Sequence, residues 1–177
     1  MGGMMRASLA ALLIATTTSA ADLGPLVKGE LPSLVSLYQE IHANPELSLH
    51  EVETAARVAA ELRKAGFEVS EKVGGHGVVG VLKNGDGPVV LIRTDLDALP
   101  VKEQTGAPYA STKVVKDDLG RDVSVMHACG HDMHITCFLG TARILAKTKD
   151  QWGGTLVMIG QPAEERVLGA RLMLRAG

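Results

Sequence analysis

Pro88-Val89-Val90-Leu91-Ile92-Arg93, followed at once by Thr94-Asp95-Leu96-Asp97-Ala98-Leu99-Pro100, decides the fold class. The first half is apolar at both alternating positions. A strand buried on two faces beneath covering helices has that pattern. The second half sets two carboxylates two residues apart, and in extended backbone both point to one side. Asp95 and Asp97 so placed suit metal binding, or the orientation of a ligand histidine, or a plain aspartate-capped turn closed by proline. On these residues alone all three remain open.

Working outward, Leu31, Leu34, Val35, Leu37, Tyr38 and Ile41 recur at helical spacing, with Pro32 in the first turn and Asn44-Pro45 as the break. A second helix is predicted from about His50 to Ala65, capped by Gly66. Phe67 to Lys72 and Gly77 to Leu82 read as strands around Gly74-Gly75. The run Asn84-Gly85-Asp86-Gly87 carries hairpin-type turn signals. Beyond Pro100, residues 102–125 are polar and read as a long surface loop. A helix follows from about Asp132 to Lys147, then a strand from Thr155 to Ile159, and a last helix from near Val167. That order predicts an α/β three-layer sandwich with a mixed central sheet. In such sheets, sites gather at the carboxyl ends of strands.

Two further polar clusters stand at those places. His127-Ala128-Cys129-Gly130-His131-Asp132-Met133-His134 packs three imidazoles, a thiol and a carboxylate into eight residues ahead of a helix. Cys129 and His131 are ligand types suited to zinc and related ions. Asp132 beside them suits the fixing of a histidine tautomer. His134 and His127 are candidates for substrate contact or for support of the ligands. The competing view is a helix capped by Asp132 with incidental histidines. The other cluster is Gln161-Pro162-Ala163-Glu164-Glu165. Adjacent glutamates point apart, so one could bind metal while the other moves a proton. Equally, two glutamates suit a helix N-terminus.

The whole chain sets bounds. Hydrophobic residues are 46% and charged residues 21% of 177, with a net charge of −2, an ordinary globular balance. Scattered Lys and Arg and few aromatics argue against nucleic acid as a partner. Residues 1–21 carry Arg6, a short apolar run from Ala7 to Ala15 and Ser19-Ala20-Ala21. They read as a secretory signal cleaved near Ala20 or Ala21, so a periplasmic or secreted protein without stable membrane insertion is expected, with 22–177 as its mature part. Cys129 and Cys137 are too far apart along a helix to pair, and Cys137 reads as a small core residue.

Together these pieces resemble the aminoacylase, hippurate hydrolase and indole-acetyl-amino-acid hydrolase branch of the dinuclear metallopeptidases. The stretches that carry the resemblance are His42-Ala43-Asn44-Pro45-Glu46-Leu47-Ser48 with Glu51, Asp95 to Pro100, His127 to Asp132, and Gln161 to Glu165. The resemblance implies hydrolysis of the amide bond of N-acyl amino acids or similar small amides and peptides. It implies a divalent metal centre of two ions, zinc or manganese, with cobalt or nickel as substitutes. Cys129, His131 and Glu165 would be ligands, Glu164 the general base, and Asp97 an acid that orients the site. Asp95 stands where relatives place a ligand histidine. Residues 114–124 look like an insertion. The family is longer, with further ligands and a lid or dimerisation domain downstream. The expectation is therefore the front part of a catalytic domain, weak in metal binding and activity by itself, from a protein that could form a homodimer. Two other functions stay in view: a hydrolase using Cys129 as nucleophile with His127 or His131, and a non-catalytic metal-binding remnant.

Overall fold

The computed structural model describes residues 22–177, and the expected signal at 1–21 lies outside them. Two helices lead, α1 over Gly24–Ala43 and α2 over Val52–Lys64. Strands β1 (Glu68–Val73), β2 (Gly77–Asn84) and β3 (Val89–Asp95) follow. A short pair, β4 (Val114–Lys116) and β5 (Asp122–Ser124), precedes α3 (His131–Lys147). Strand β6 (Gly154–Gln161) and α4 (Gly169–Ala176) complete the order.

The main sheet runs β1-β2-β6-β3, antiparallel except for the β3–β6 pair, so it is mixed as expected. On one face α1, α2 and α3 bury a single core. Val58, Leu62, Val78, Ile135 and Met158 within it are fully buried. Removing each such side chain from water contributes about 1.5–3 kcal/mol. The opposite face carries α4, where Val79, Val157, Ile159 and Met173 line a common cavity.

Several expectations need correction. Strand β3 is not buried on both faces. It is the sheet's edge among the described residues, and Val89 and Leu91 are 70% and 57% exposed on the α4 side of the sheet, where α4 packs over β1 and β6. The Asn84–Gly87 turn closes no hairpin, because β6 inserts between β2 and β3. Pro32 lies inside α1 rather than in its first turn, a place Pro25 takes. The helix tolerates Pro32 there with one lost backbone bond. The loop over 102–125 is not wholly irregular, since β4 and β5 pair across the turn at Asp117–Gly120. Cys137 is exposed, not in the core, and both cysteines are free.

Candidate active site

The carboxyl ends of two strands and the entry to α3 converge at one end of the sheet. The β3–β6 ladder sets Asp95 opposite Gln161, so the chain leaves both strands side by side. The third segment enters α3 through Gly130, whose φ of 81° is a left-handed conformation that glycine adopts without a Cβ clash. That turn aims Cys129 and His131 at the loop after β6. One ligand-type atom each from Cys129, His131 and Glu165 lies within 4.8 Å of the others. Thus the sequence-predicted trio is brought together in space.

Asp97 organises this cluster. It is fully buried, and its carboxylate accepts the Ser48 hydroxyl at 2.6 Å and the backbone amides of Glu164 and Glu165 at 3.2 and 3.0 Å. Burial pushes its carboxyl upward, but His131, the Ser48 hydroxyl and the Glu165 amide outweigh that and hold it below the usual range. The Asp97 carbonyl accepts the His131 Nδ1 proton at 2.7 Å. A carbonyl only accepts, so the ring's other nitrogen, Nε2, faces the glutamates: 3.8 Å to Glu164 and 4.0 Å to Glu165. The Asp97 carboxylate, chiefly, raises His131 to about 9 in the metal-free protein.

The loop after β6 is unusual. Ala163 and Val167 hold φ of 48° and 55°, rare for residues with a Cβ. Glu164 and Glu165 sit between them in turns rather than at the start of α4, so no helix N-terminus accounts for them. Glu164 is the more open, its side chain 41% exposed against 21% for Glu165. Gly169 lets the loop close, since a Cβ there would lie 1.5 Å from the Pro162 carbonyl oxygen.

The remaining predicted residues are placed differently. Asp132 does not fix the tautomer of His131. It turns away and meets His42 Nδ1 at 2.6 Å, while Glu103 meets His42 Nε2 at 3.0 Å. Geometry decides this, because successive residues entering a helix point about 100° apart. Asp95 is paired with Arg93, and burial raises its carboxyl. His127 is buried with neither ring nitrogen bonded among the described residues, and desolvation lowers it to about 4. His134 lies exposed on α3. Three participants were not singled out by role: Ser48, Glu51 and Glu103. Ser48 and Glu51 lie in the quoted His42–Glu51 stretch. No local pattern flags Glu103.

The donor set fits a divalent cation. Oε1 of Glu165 is buried and has no hydrogen-bond partner among the described residues. A thiolate, an imidazole and a carboxylate bond zinc-like ions at roughly 2.0–2.3 Å, and the three atoms need only draw in slightly to share one.

A mixed sheet with helices on both faces and this polar cluster at its strand ends has the architecture of the M20 peptidase catalytic domain. Residues 91–177 match the model of Peptidase family M20/M25/M40. The chain is 45% identical to the hippurate hydrolase of Campylobacter jejuni over 78% of its own length and 33% of that protein. It is 41% identical to the N-acetylcysteine deacetylase of Bacillus subtilis, over 81% of its length and 36% of that protein. The crystal structure of the Bacillus subtilis YXEP protein, a dinuclear metal-binding M20 peptidase, superposes with a TM-score of 0.74 at 38% identity. That match covers 85% of this chain and 40% of the other. The chain therefore spans about a third to two fifths of the length of these relatives.

Proposed function

We propose that this chain carries part of the catalytic centre of a metal-dependent amidohydrolase that cleaves N-acyl amino acids or related small amides and peptides. The observation that carries the proposal is the convergence of Cys129, His131 and Glu165, one buried oxygen of which has no partner. The names of two relatives, a hippurate hydrolase and an N-acetylcysteine deacetylase, support the substrate class.

In this proposal Cys129, His131 and Glu165 hold a divalent ion, and a second ion completes the centre with donors beyond these three. Zinc or manganese is the proposed metal, with cobalt or nickel as substitutes. Such ions polarise a carbonyl and acidify bound water. Asp97 holds His131 with Nε2 turned inward and pins the amides of both glutamates, so its part is orientation. Glu164, the more open carboxylate, takes a proton from the attacking water and delivers it to the leaving amine. We also propose that residues 1–21 direct export and that 22–177 are the mature portion.

The cysteine-nucleophile alternative is disfavoured by surroundings. Burial, then Glu165, Glu164 and Asp95, push the Cys129 thiol above its ordinary value. A nucleophilic cysteine needs the opposite, and so does a metal ligand, but a bound cation would itself supply the positive charge that lowers the thiol, which a nucleophile here would lack. The test is Glu164→Ala in the full protein, assayed on N-benzoylglycine and N-acetylcysteine with metal content measured in parallel. Hydrolysis should collapse while bound metal stays. Retained turnover removes the role of Glu164, and activity that survives chelation but not thiol alkylation removes the metal mechanism.

A further inference from the structure

Glu51 is a fully buried carboxylate that the chemistry above leaves unused. It immediately precedes α2, where a helix cap would be expected, yet its side chain makes no capping bond. Glu46 caps that helix instead, accepting the amides of Glu53 and Thr54 at 3.2 and 2.8 Å and the Thr54 hydroxyl at 2.8 Å. Glu51 is thereby released to reach across the molecule. Its Oε1 accepts the backbone amide of Ala163 at 2.7 Å, 112 residues away in sequence. Oε2 has no partner among the described residues.

Ala163 is the residue held at φ 48°, directly ahead of Glu164 and Glu165. A left-handed alanine persists only where its surroundings impose it. Asp97 secures the next two amides but not this one. Leu49, two residues before Glu51, is also left-handed, at φ 71°. Burial pushes the Glu51 carboxyl up, opposed by the amides of Ala163, of Glu51 itself and of Leu49.

We infer that Glu51 is a positioning residue: by holding the Ala163 amide it imposes the left-handed turn that directs Glu164 and Glu165 into the site. The inference rests on the proposed roles of those two glutamates. It adds that their direction is set from the loop between α1 and α2, through one buried carboxyl.

Three variants of the full chain test it. Glu51→Met keeps the volume but offers no acceptor to Ala163, whereas Glu51→Gln keeps an oxygen there. Ala163→Gly, added to Glu51→Met, supplies a residue that enters the left-handed region without a Cβ penalty. The first measurement is amide hydrogen exchange at Glu164 and Glu165, whose own bonds go to Asp97. The second is cobalt(II) titration followed by sulfur-to-cobalt absorption.

Glu51→Met should speed exchange at both glutamates and weaken cobalt binding, each about tenfold. Amides of the β2–β6 ladder should stay unchanged. Glu51→Gln should match the parent within about twofold, and the added glycine should restore much of the loss. Unchanged exchange in Glu51→Met, a Gln variant as impaired as the Met one, or no rescue by glycine would each overturn the inference. Should Glu51→Met not fold, Glu51→Asp, which withdraws the oxygen by one methylene, is read by the same criteria. A parent chain without sulfur-to-cobalt absorption would count against the metal proposal alone, and the exchange measurements would still decide the role of Glu51.

Discussion

His131 and Asp132 are adjacent at the start of α3, but they face two clusters of opposite character. His131 turns toward Cys129, Glu164 and Glu165, where donor atoms crowd together without satisfying one another. Asp132 turns toward His42, which it grips at 2.6 Å while Glu103 takes the other ring nitrogen at 3.0 Å. Tyr38 and Tyr109 pack around that imidazole at centroid distances of 5.6 and 5.3 Å. The second cluster is a closed ion network that joins α1, α3 and the loop after Pro100. The first is a cluster of ligand-type donors with capacity to spare. Buried polar groups that partner each other serve the fold, and those left in want of a partner are candidates for chemistry.

The strongest way to break this contrast is His42→Ala. It removes the imidazole shared by two buried carboxylates, which keep the Thr105 hydroxyl and the Ser111 and Met133 amides, and should cost about 3 kcal/mol in urea unfolding, the lower end for a broken buried pair. Metal bound per folded molecule should not change. A loss below about 1 kcal/mol would mean the network is not what holds α1 to α3. Next in size, Cys129→Ala should lower zinc affinity at least about a hundredfold, equal to about 2.7 kcal/mol, in competition titrations with a chromophoric chelator. Metal-free stability should move by only about 0.5 kcal/mol. A large stability loss there would blur the two clusters into one.

A pH series sharpens the comparison further. Burial lowers His42, but Glu103 and Asp132 outweigh it, so its folded value lies above the ordinary 6.5. Its contribution is then complete below about pH 6.5 and drains as pH rises through the folded value, by at most about 1.4 kcal/mol per unit. The stability gap between the parent and His42→Ala, followed by urea titration in metal-free buffer, should therefore narrow on the alkaline side. A gap that widens there would reverse the sign assigned to the network. The smallest effect belongs to His134→Gln, which should alter both stability and metal affinity by under about 0.5 kcal/mol, because the side chain lies outside both clusters.

Much of this was visible in the order of residues. Cys-Gly-His before a helix, Asp-x-Asp at the end of one strand and paired glutamates after another are local patterns, and the last two mark strand ends. Sequence does not say which side each residue takes on entering α3, and so does not show that Asp132 partners His42 rather than a neighbouring histidine. Nor could it show that Glu46 caps α2 and thereby frees Glu51, since Glu51 holds the N-cap position and Glu46 stands five residues ahead of it. Glu103 joins His42 across 61 residues, and no periodicity records such a pairing. The run of four apolar residues in β3 misled for a different reason. Apolar character at alternating positions reports what a strand is suited to contact, not what covers it.

That same strand has a consequence for handling the protein. The outer margin of β3 offers peptide groups in no ladder among the described residues, beside exposed Val89, Val90 and Leu91. Two molecules that met there could extend one sheet into the next, a route by which concentrated solutions cloud and precipitate. A lysine in place of Val90 would put a charge on that margin and should keep the chain dispersed.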